Sequence, residues 1–212
     1  MNNLISVVVT CYNHEKYIEQ CLRSVFNQTY TNIELIVLDD GSTDSSTQII
    51  QEVLKDSPFE TRFETHENLG VVENRNLGLE LIRGDYLLFV DSDNYLDADY
   101  VEQLYSKLTE TNADIVYCDL FNPEKEEFYL KSREFDLTAF LNASFIDNCS
   151  LIRRSIIKNA RYDEMLNRKK LEDYDFLLNL IINNGAKAVY QPSTKLNYRV
   201  FETGSISGRD SV

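Results

Sequence analysis

The chain is short of histidine, glycine and positive charge, and each shortage removes a class of function. His14 and His66 are its only histidines and no Gly-X-Ser-X-Gly elbow accompanies them, which argues against a Ser-His-Asp hydrolase. Residues 10–17 contain no glycine, so the turn after the first apolar run carries neither a dinucleotide fingerprint nor a Walker loop. Lys and Arg number 21 against 35 Asp and Glu, a formal charge of −14. Such a chain repels polyanions and lacks cations to displace counterions from phosphates, so nucleic acid is not an expected partner. Acidic residues gathered in a cleft would instead hold a divalent cation, which attracts a phosphorylated ligand.

Other absences bear on location. No stretch approaches the roughly 20 apolar residues of a membrane span. Met1-Asn2-Asn3 runs straight into a strand pattern with no basic-then-apolar leader. A cytoplasmic protein is expected, with attachment at the inner face of the membrane through a partner or a further C-terminal segment left open. Cys11, Cys21, Cys118 and Cys149 form no Cys-X-X-Cys pair and no metal-ligand spacing, and are expected to be reduced and mostly buried.

What the sequence does contain is periodicity. Residues 5–10 (I-S-V-V-V-T) are rich in β-branched side chains and predict a buried parallel strand. Ile18, Cys21, Leu22 and Val25 recur at i, i+3, i+4, i+7, one apolar helix face. Residues 33–39 predict a second strand, and Asp44 or Ser45 caps a helix turned inward through Ile49, Ile50, Val53 and Leu54. A weaker strand at 63–66, a helix over 72–82 closed near Gly84, and the strand 86–90 (Y-L-L-F-V) complete a β-α-β-α-β-α-β order. That order predicts an α/β fold: a parallel sheet with right-handed crossovers, helices on both faces, and a ligand crevice at the strands' carboxyl ends.

After a helix over 101–108 the pattern loosens. Strands are predicted at 115–118 and 151–153, a loop or exposed hairpin at 123–133, and a helix over 171–184 with Tyr174, Leu177, Leu178 and Ile181 inward. Short strands follow at 189–190 and 196–200, and the polar stretch 202–212 is expected to be mobile. With no linker and no internal repeat, residues 1–212 read as one domain with two functional halves, 1–98 and 99–212.

Polar clusters follow the strands. Asp91-Ser92-Asp93 puts two carboxylates at i, i+2 after a buried strand, where a hard cation would relieve their repulsion; the competing reading is an Asp-rich turn, the role given to Asp97 and Asp99. In Asp39-Asp40-Gly41-Ser42-Thr43-Asp44, the segment from Gly41 onward reads as a turn and helix cap, leaving Asp39 and Asp40 for a base N–H or ribose hydroxyls. Tyr12, in Thr10-Cys11-Tyr12-Asn13, offers a face for a base. Arg75 suits a diphosphate or a base, against a solvated helix arginine. Glu172-Asp173 offers a general base or merely two helix-start carboxylates.

Taken together, these stretches resemble the family 2 glycosyltransferases of the GT-A fold. The matching segments are S-V-V-V-T-C-Y-N (6–13), V-L-D-D-G-S-T-D (37–44), N-L-G-V-V-E-N-R-N-L-G (68–78), F-V-D-S-D (89–93), N-C-S (148–150), L-E-D-Y-D-F (171–176) and N-Y-R…S-I-S (197–207). The resemblance implies a mainly parallel twisted sheet flanked by helices, with a smaller mixed acceptor-side region. It implies transfer of a sugar from a nucleotide-diphosphate donor, a UDP-sugar first, to a hydroxyl of a glycan, glycoprotein or glycolipid, with inversion and with Mn²⁺ or Mg²⁺.

Carried across by position, Thr10, Tyr12 and Asp39 would hold the base, with Asn13, Asp40, Arg75 and Ser92 nearby. Asp93 would lie closest to the metal, Asp91 between metal and ribose, and Asp173 would deprotonate the acceptor. Thr10 stands where many members have proline, and Phe201 where many have a metal- or diphosphate-assisting histidine, which implies weaker metal dependence. Two rival readings remain at this stage. A nucleotidyltransferase would want a Gly-rich basic loop at residues 10–17, and a non-catalytic sugar- or nucleotide-binding module would have no use for Asp93 and Asp173. An oligomer or a larger parent chain is compatible with the sequence.

Overall fold

The computed structural model describes residues 3–201; the stretch 202–212 and the S-I-S segment lie outside the described residues. The first half alternates as β1 (Ile5–Cys11), α1 (Ile18–Phe26), β2 (Ile33–Asp39), α2 (Ser46–Val53), β3 (Glu60–Thr65), α3 (Val71–Leu81) and β4 (Tyr86–Asp91). The second half continues with β5 (Tyr95–Leu96), α4 (Tyr100–Thr111), β6 (Ile115–Asn122), β7 (Glu127–Leu130) and α5 (Leu137–Asn142). It ends with β8 (Leu151–Arg153), α6 (Arg154–Ile157), α7 (Glu172–Leu178) and β9 (Ala188–Asn197).

One mixed sheet runs in the order β3-β2-β1-β4-β8-β6-β9-β5, with β7 added antiparallel to β6. Its β3-β2-β1-β4 half is parallel throughout, and β8 enters antiparallel to β4. The two-residue period of a strand decides the layering. Val7 and Val9 of β1, Leu35 and Val37 of β2, and Leu88 and Val90 of β4 join one core with α1, α2 and α4. Val8, Ile36, Leu38, Leu87 and Phe89 join the opposite core with α3, α5 and α7. All four cysteines are buried and unpaired. No helix among the described residues is long and apolar enough to cross a membrane.

Two expectations change. The two short strands predicted near the end are one strand, β9. Its pairing with β6 slips between Tyr117 and Asp119, and the bulge takes up Pro192, which cannot donate to a ladder. The predicted helix 171–184 is α-helical only over Glu172–Leu178 and then widens into a π-helical turn, Asn179–Asn183, in which Leu180 and Ile181 are both buried. Of the two readings of 123–133, the exposed hairpin is the one found, with β7 as its return arm.

The amino end of the sheet is closed by a buried carboxylate. Glu34 accepts from Ser6 Oγ (2.5 Å), the backbone N–H of Arg83 (2.7 Å) and Gly84 (3.0 Å), and Arg83 Nε (2.8 Å). Gly84 is required there, because a Cβ would lie 2.7 Å from the backbone N of Ser6. Burial alone would raise the Glu34 carboxyl, but the donors from Ser6, Arg83 and Gly84 prevail and hold it below its ordinary 4.5. A lowered folded-state value means stability that is present above about pH 4.5 and lost as pH falls through the folded value. We therefore expect Glu34→Gln to cost about 1.5–3 kcal/mol near neutral pH, the range for hydrogen bonds to charged groups. In urea titrations the deficit relative to the parent chain should close as the pH is lowered below about 4.5. A pH-independent deficit would mean that the carboxylate charge is not what matters.

Candidate active site

The parallel register brings three strand ends level. Thr10 pairs with Asp91 and Cys11 with Asp39, so β1, β2 and β4 all finish at one edge. A cavity of about 920 Å³ opens there, and Thr10, Tyr12, Asp40, Asp91, Asp93 and Asp173 line it. This is the crevice expected at the carboxyl ends of an open α/β sheet.

On the β1–β2 side, most polar side chains hold the loops. Tyr12 is 44% exposed and presents its ring to the cavity. Asn13 adopts the left-handed conformation (φ 55°), and its amide oxygen accepts from Thr43 N at 2.7 Å, joining two loops. Asp44 accepts from Glu15 N while Glu15 accepts from Ser45 N, a reciprocal lock between the same loops.

The expected roles of Asp39 and Ser92 need correction. Asp39 is fully buried, and its carboxylate accepts from Ser42 Oγ (2.5 Å), Thr47 Oγ1 (2.6 Å) and Thr65 Oγ1 (3.2 Å), so it shapes the turn and does not line the cavity. Asp40 faces the cavity instead, bonded to the N–H groups of Leu69 (2.8 Å) and Gly70 (2.9 Å). Two lone-pair sites of that carboxylate remain for another donor. Ser92 is also fully buried and hydrogen-bonds His14 Nδ1 at 2.7 Å; burial lowers the His14 pKa and favours the neutral ring.

Carboxylates gather on the other side. Asp91 accepts from Thr10 Oγ1 (3.3 Å) and Arg75 Nη2 (3.1 Å). Asp93 is half-buried, and burial together with the charge of Asp91 pushes its carboxyl up to about 7. Burial also raises Asp173 well above the usual range, helped by Glu172, Asp91 and Asp147 and opposed by Arg75. Arg75 lines the cavity from an unexpected, buried position. It is 3% exposed, with its terminal nitrogens bonded to Asp91, Glu172 and Asp173 and its Nε without a partner among the described residues. Glu172, at 8% exposure, is its partner at 3.1 Å and more than a helix-start charge.

A divalent ion fits the pair Asp91 and Asp93. A cation there would offset the burial and the Asp91 charge that together raise the Asp93 carboxyl. Among the described residues no group of three or more His, Cys, Asp or Glu is arranged as a cage. Two carboxylates with the remaining positions left to phosphate and water are the donor set typical of Mg²⁺ and similar hard ions.

Sequence reasoning missed Asp147 and Arg199. Asp147 lies in the irregular segment between α5 and β8; burial and the charge of Asp91 raise its carboxyl, its own charge helps raise Asp173, and no periodicity flags it. Arg199 donates through Nη1 to the Asp93 carbonyl, its guanidinium 4.8 Å from the Tyr17 ring centre and 5.1 Å from that of Tyr95. The Tyr198-Arg199 pair was visible, but its contact with the Asp93 turn was not. Asp97 turns away and accepts from Asn197 Nδ2 at 2.8 Å, outside this cavity.

A strap before α7 closes the rim. Asn167 accepts from Val72 N and donates to Leu69 O, while Arg168 donates to Asn68 O and Oδ1. Gly70 makes the approach possible: its φ is 96°, and a Cβ there would stand 2.3 Å from Asn167 Oδ1.

A family model described as Glycosyl transferase family 2 matches residues 6–174. An uncharacterised glycosyltransferase of Haemophilus influenzae is 36% identical over 184 residues, 84% of this chain and 72% of that protein. Glycosyltransferase GlyA of Streptococcus pneumoniae is 36% identical over 152 residues; the match takes in 70% of this chain but spans only 22% of GlyA. Among solved structures, S. aureus TarS 1–349 in complex with UDP-GlcNAc superposes with a TM-score of 0.77 at 23% identity, over 98% of this chain and 61% of that one. That likeness is one of fold, and the fold is of the GT-A type.

The strap gives a test of the rim. Gly70→Ala forces both a positive φ and a clash with Asn167, and should destabilise the chain by about 1–3 kcal/mol in urea titrations. Hydrogen exchange should accelerate over residues 163–171 while the amides of β1 and β4 stay protected. Uniform acceleration would show that the strap is not a separable unit.

Proposed function

Because the chain belongs to the family 2 glycosyltransferases, we propose that it transfers a sugar from a UDP-sugar to an acceptor hydroxyl of a glycan or glycoconjugate, with inversion. The observation that carries this reading is that Asp173 lines the same cavity as Asp91 and Asp93, with Tyr12 and Asp40 at its other end. Uridine as the base draws support from the UDP-GlcNAc held by TarS. Tyr12 stacks on the base, and Asp40 accepts a base N–H through its unused lone pairs. Thr10 orients Asp91 toward the ribose.

A bound Mg²⁺ or Mn²⁺ would act as a Lewis acid for the departing diphosphate, held by Asp93 with Asp91. Arg199 fixes the turn that carries Asp93. Asp173 takes the proton from the acceptor hydroxyl, a task to which its raised pKa suits it and which contributes roughly 10²–10⁴-fold to rate.

Two substitutions separate the roles. Asp93→Asn should weaken Mn²⁺-dependent UDP binding in calorimetry, while Asp97→Asn, outside the cavity, should leave it unchanged; equal effects would dismiss the metal assignment. Asp173→Asn should keep UDP affinity and lower the rate of UDP release from a UDP-sugar by roughly 10²-fold or more. Near-normal turnover in that variant would move the base elsewhere.

A further inference from the structure

Arg75 joins the donor end of the cavity to the base end. It projects from α3, with Nη2 on Asp91 (3.1 Å) and Nη1 on both Glu172 (3.1 Å) and Asp173, the last the closest of the three. Its guanidinium lies 5.6 Å from the centre of the Tyr162 ring. That ring is held on its own account: it stacks on Phe176 at 4.2 Å, and its hydroxyl donates to Asn148 at 2.5 Å. The guanidinium is thus seated on this floor with both terminal nitrogens occupied and only Nε without a partner among the described residues.

We propose that Arg75 is a positioning residue for Asp173, holding the base carboxylate in register with Asp91, and that it does not bind the donor directly. The inference rests on the reading of Asp173 as the base. A planar fork can meet carboxylates from separate elements at once, whereas an ammonium is a point charge that cannot hold the same angles. Charge compensation alone would be satisfied by lysine, but positioning would not.

The test is Arg75→Lys in the full chain. Calorimetry with UDP and Mn²⁺ gives nucleotide affinity, and UDP release from UDP-GlcNAc, or from whichever UDP-sugar the parent chain turns over best, gives kcat and KM. We expect kcat to fall by about 30-fold or more, with UDP affinity and KM within about 3-fold of the parent. The double variant with Asp173→Asn should be no slower than Asp173→Asn alone, because two parts of one unit are not additive.

A parallel fall in UDP affinity would make Arg75 a donor ligand and overturn the proposal. So would full kcat in the lysine variant, or a double variant as slow as the product of the two single losses. If Arg75→Lys does not fold, Glu172→Ala removes one partner of Nη1 and should lower kcat at unchanged UDP affinity; near-parental kcat there would overturn the proposal. A parent chain that neither binds UDP nor turns over any UDP-sugar would instead dismiss the glycosyltransferase reading itself.

Discussion

The structure turns on the repulsion among carboxylates that meet at, and just behind, one wall of the cavity. Asp91 and Asp93 come from the end of β4, Asp147 from the segment before β8, and Glu172 and Asp173 from the start of α7. Two like charges about 4 Å apart cost on the order of 4 kcal/mol at an effective dielectric near 20, so such a group needs compensation within the protein or from a ligand. Arg75 supplies part of it by pairing with Asp91, Glu172 and Asp173. Among the described residues no ion pair reaches the Asp93 carboxylate, and burial together with the charge of Asp91 raises it to about 7. The protein thus neutralises Asp91, Glu172 and Asp173 from within, through one guanidinium.

That pairing also joins the two parts of the chain. The parallel half of the sheet contributes Asp91 and, through α3, Arg75; the second half contributes Glu172 and Asp173. The connection through the sheet is short, since β8 is only Leu151–Arg153 and pairs with both β4 and β6. The Arg75 cluster and the Asn167 and Arg168 contacts to the 68–70 loop add ties on the cavity side. A buried ion cluster is costly to assemble and costlier to break, so its value here lies in fixing the relative placement of two loops and a helix.

How much of this was legible in the sequence depends on which force positions each residue. The strands β1, β2 and β4 were readable to within a residue because buried parallel strands are runs of Val, Ile and Leu with abrupt polar ends. Asp91 and Asp93 could be placed at the cavity because they follow such a run, whereas Asp173 was singled out by the family resemblance, the helix start alone leaving two readings open. Asp39 and Asp40 were harder: neighbours at a strand end point to opposite sides, so one residue separates a buried turn anchor from a cavity wall. The buried state of Ser92 depends on His14, 78 positions away, and that of Arg75 on residues nearly 100 positions away, beyond the reach of local pattern. Asp147 and the strap belong to segments without a period.

The same contrast explains how a chain with seven glycines builds so many tight turns around a ligand cavity. Left-handed positions fall on Asn13, Arg168 and Leu171, where a side chain costs energy unless its surroundings over-determine it. At Asn13 the compensation is visible, because its amide oxygen takes the Thr43 N–H and its own N–H donates to Ser42. At Arg168 it comes from two bonds to Asn68. Leu171 has no comparable bond from its side chain, which is 64% exposed at the cavity rim directly before Glu172. Its backbone carbonyl instead receives the Asp175 N–H, the opening bond of α7. The strained turn at Leu171 is therefore held by the helix it begins, and the helix is held in turn by the grip of Arg75 on Glu172 and Asp173.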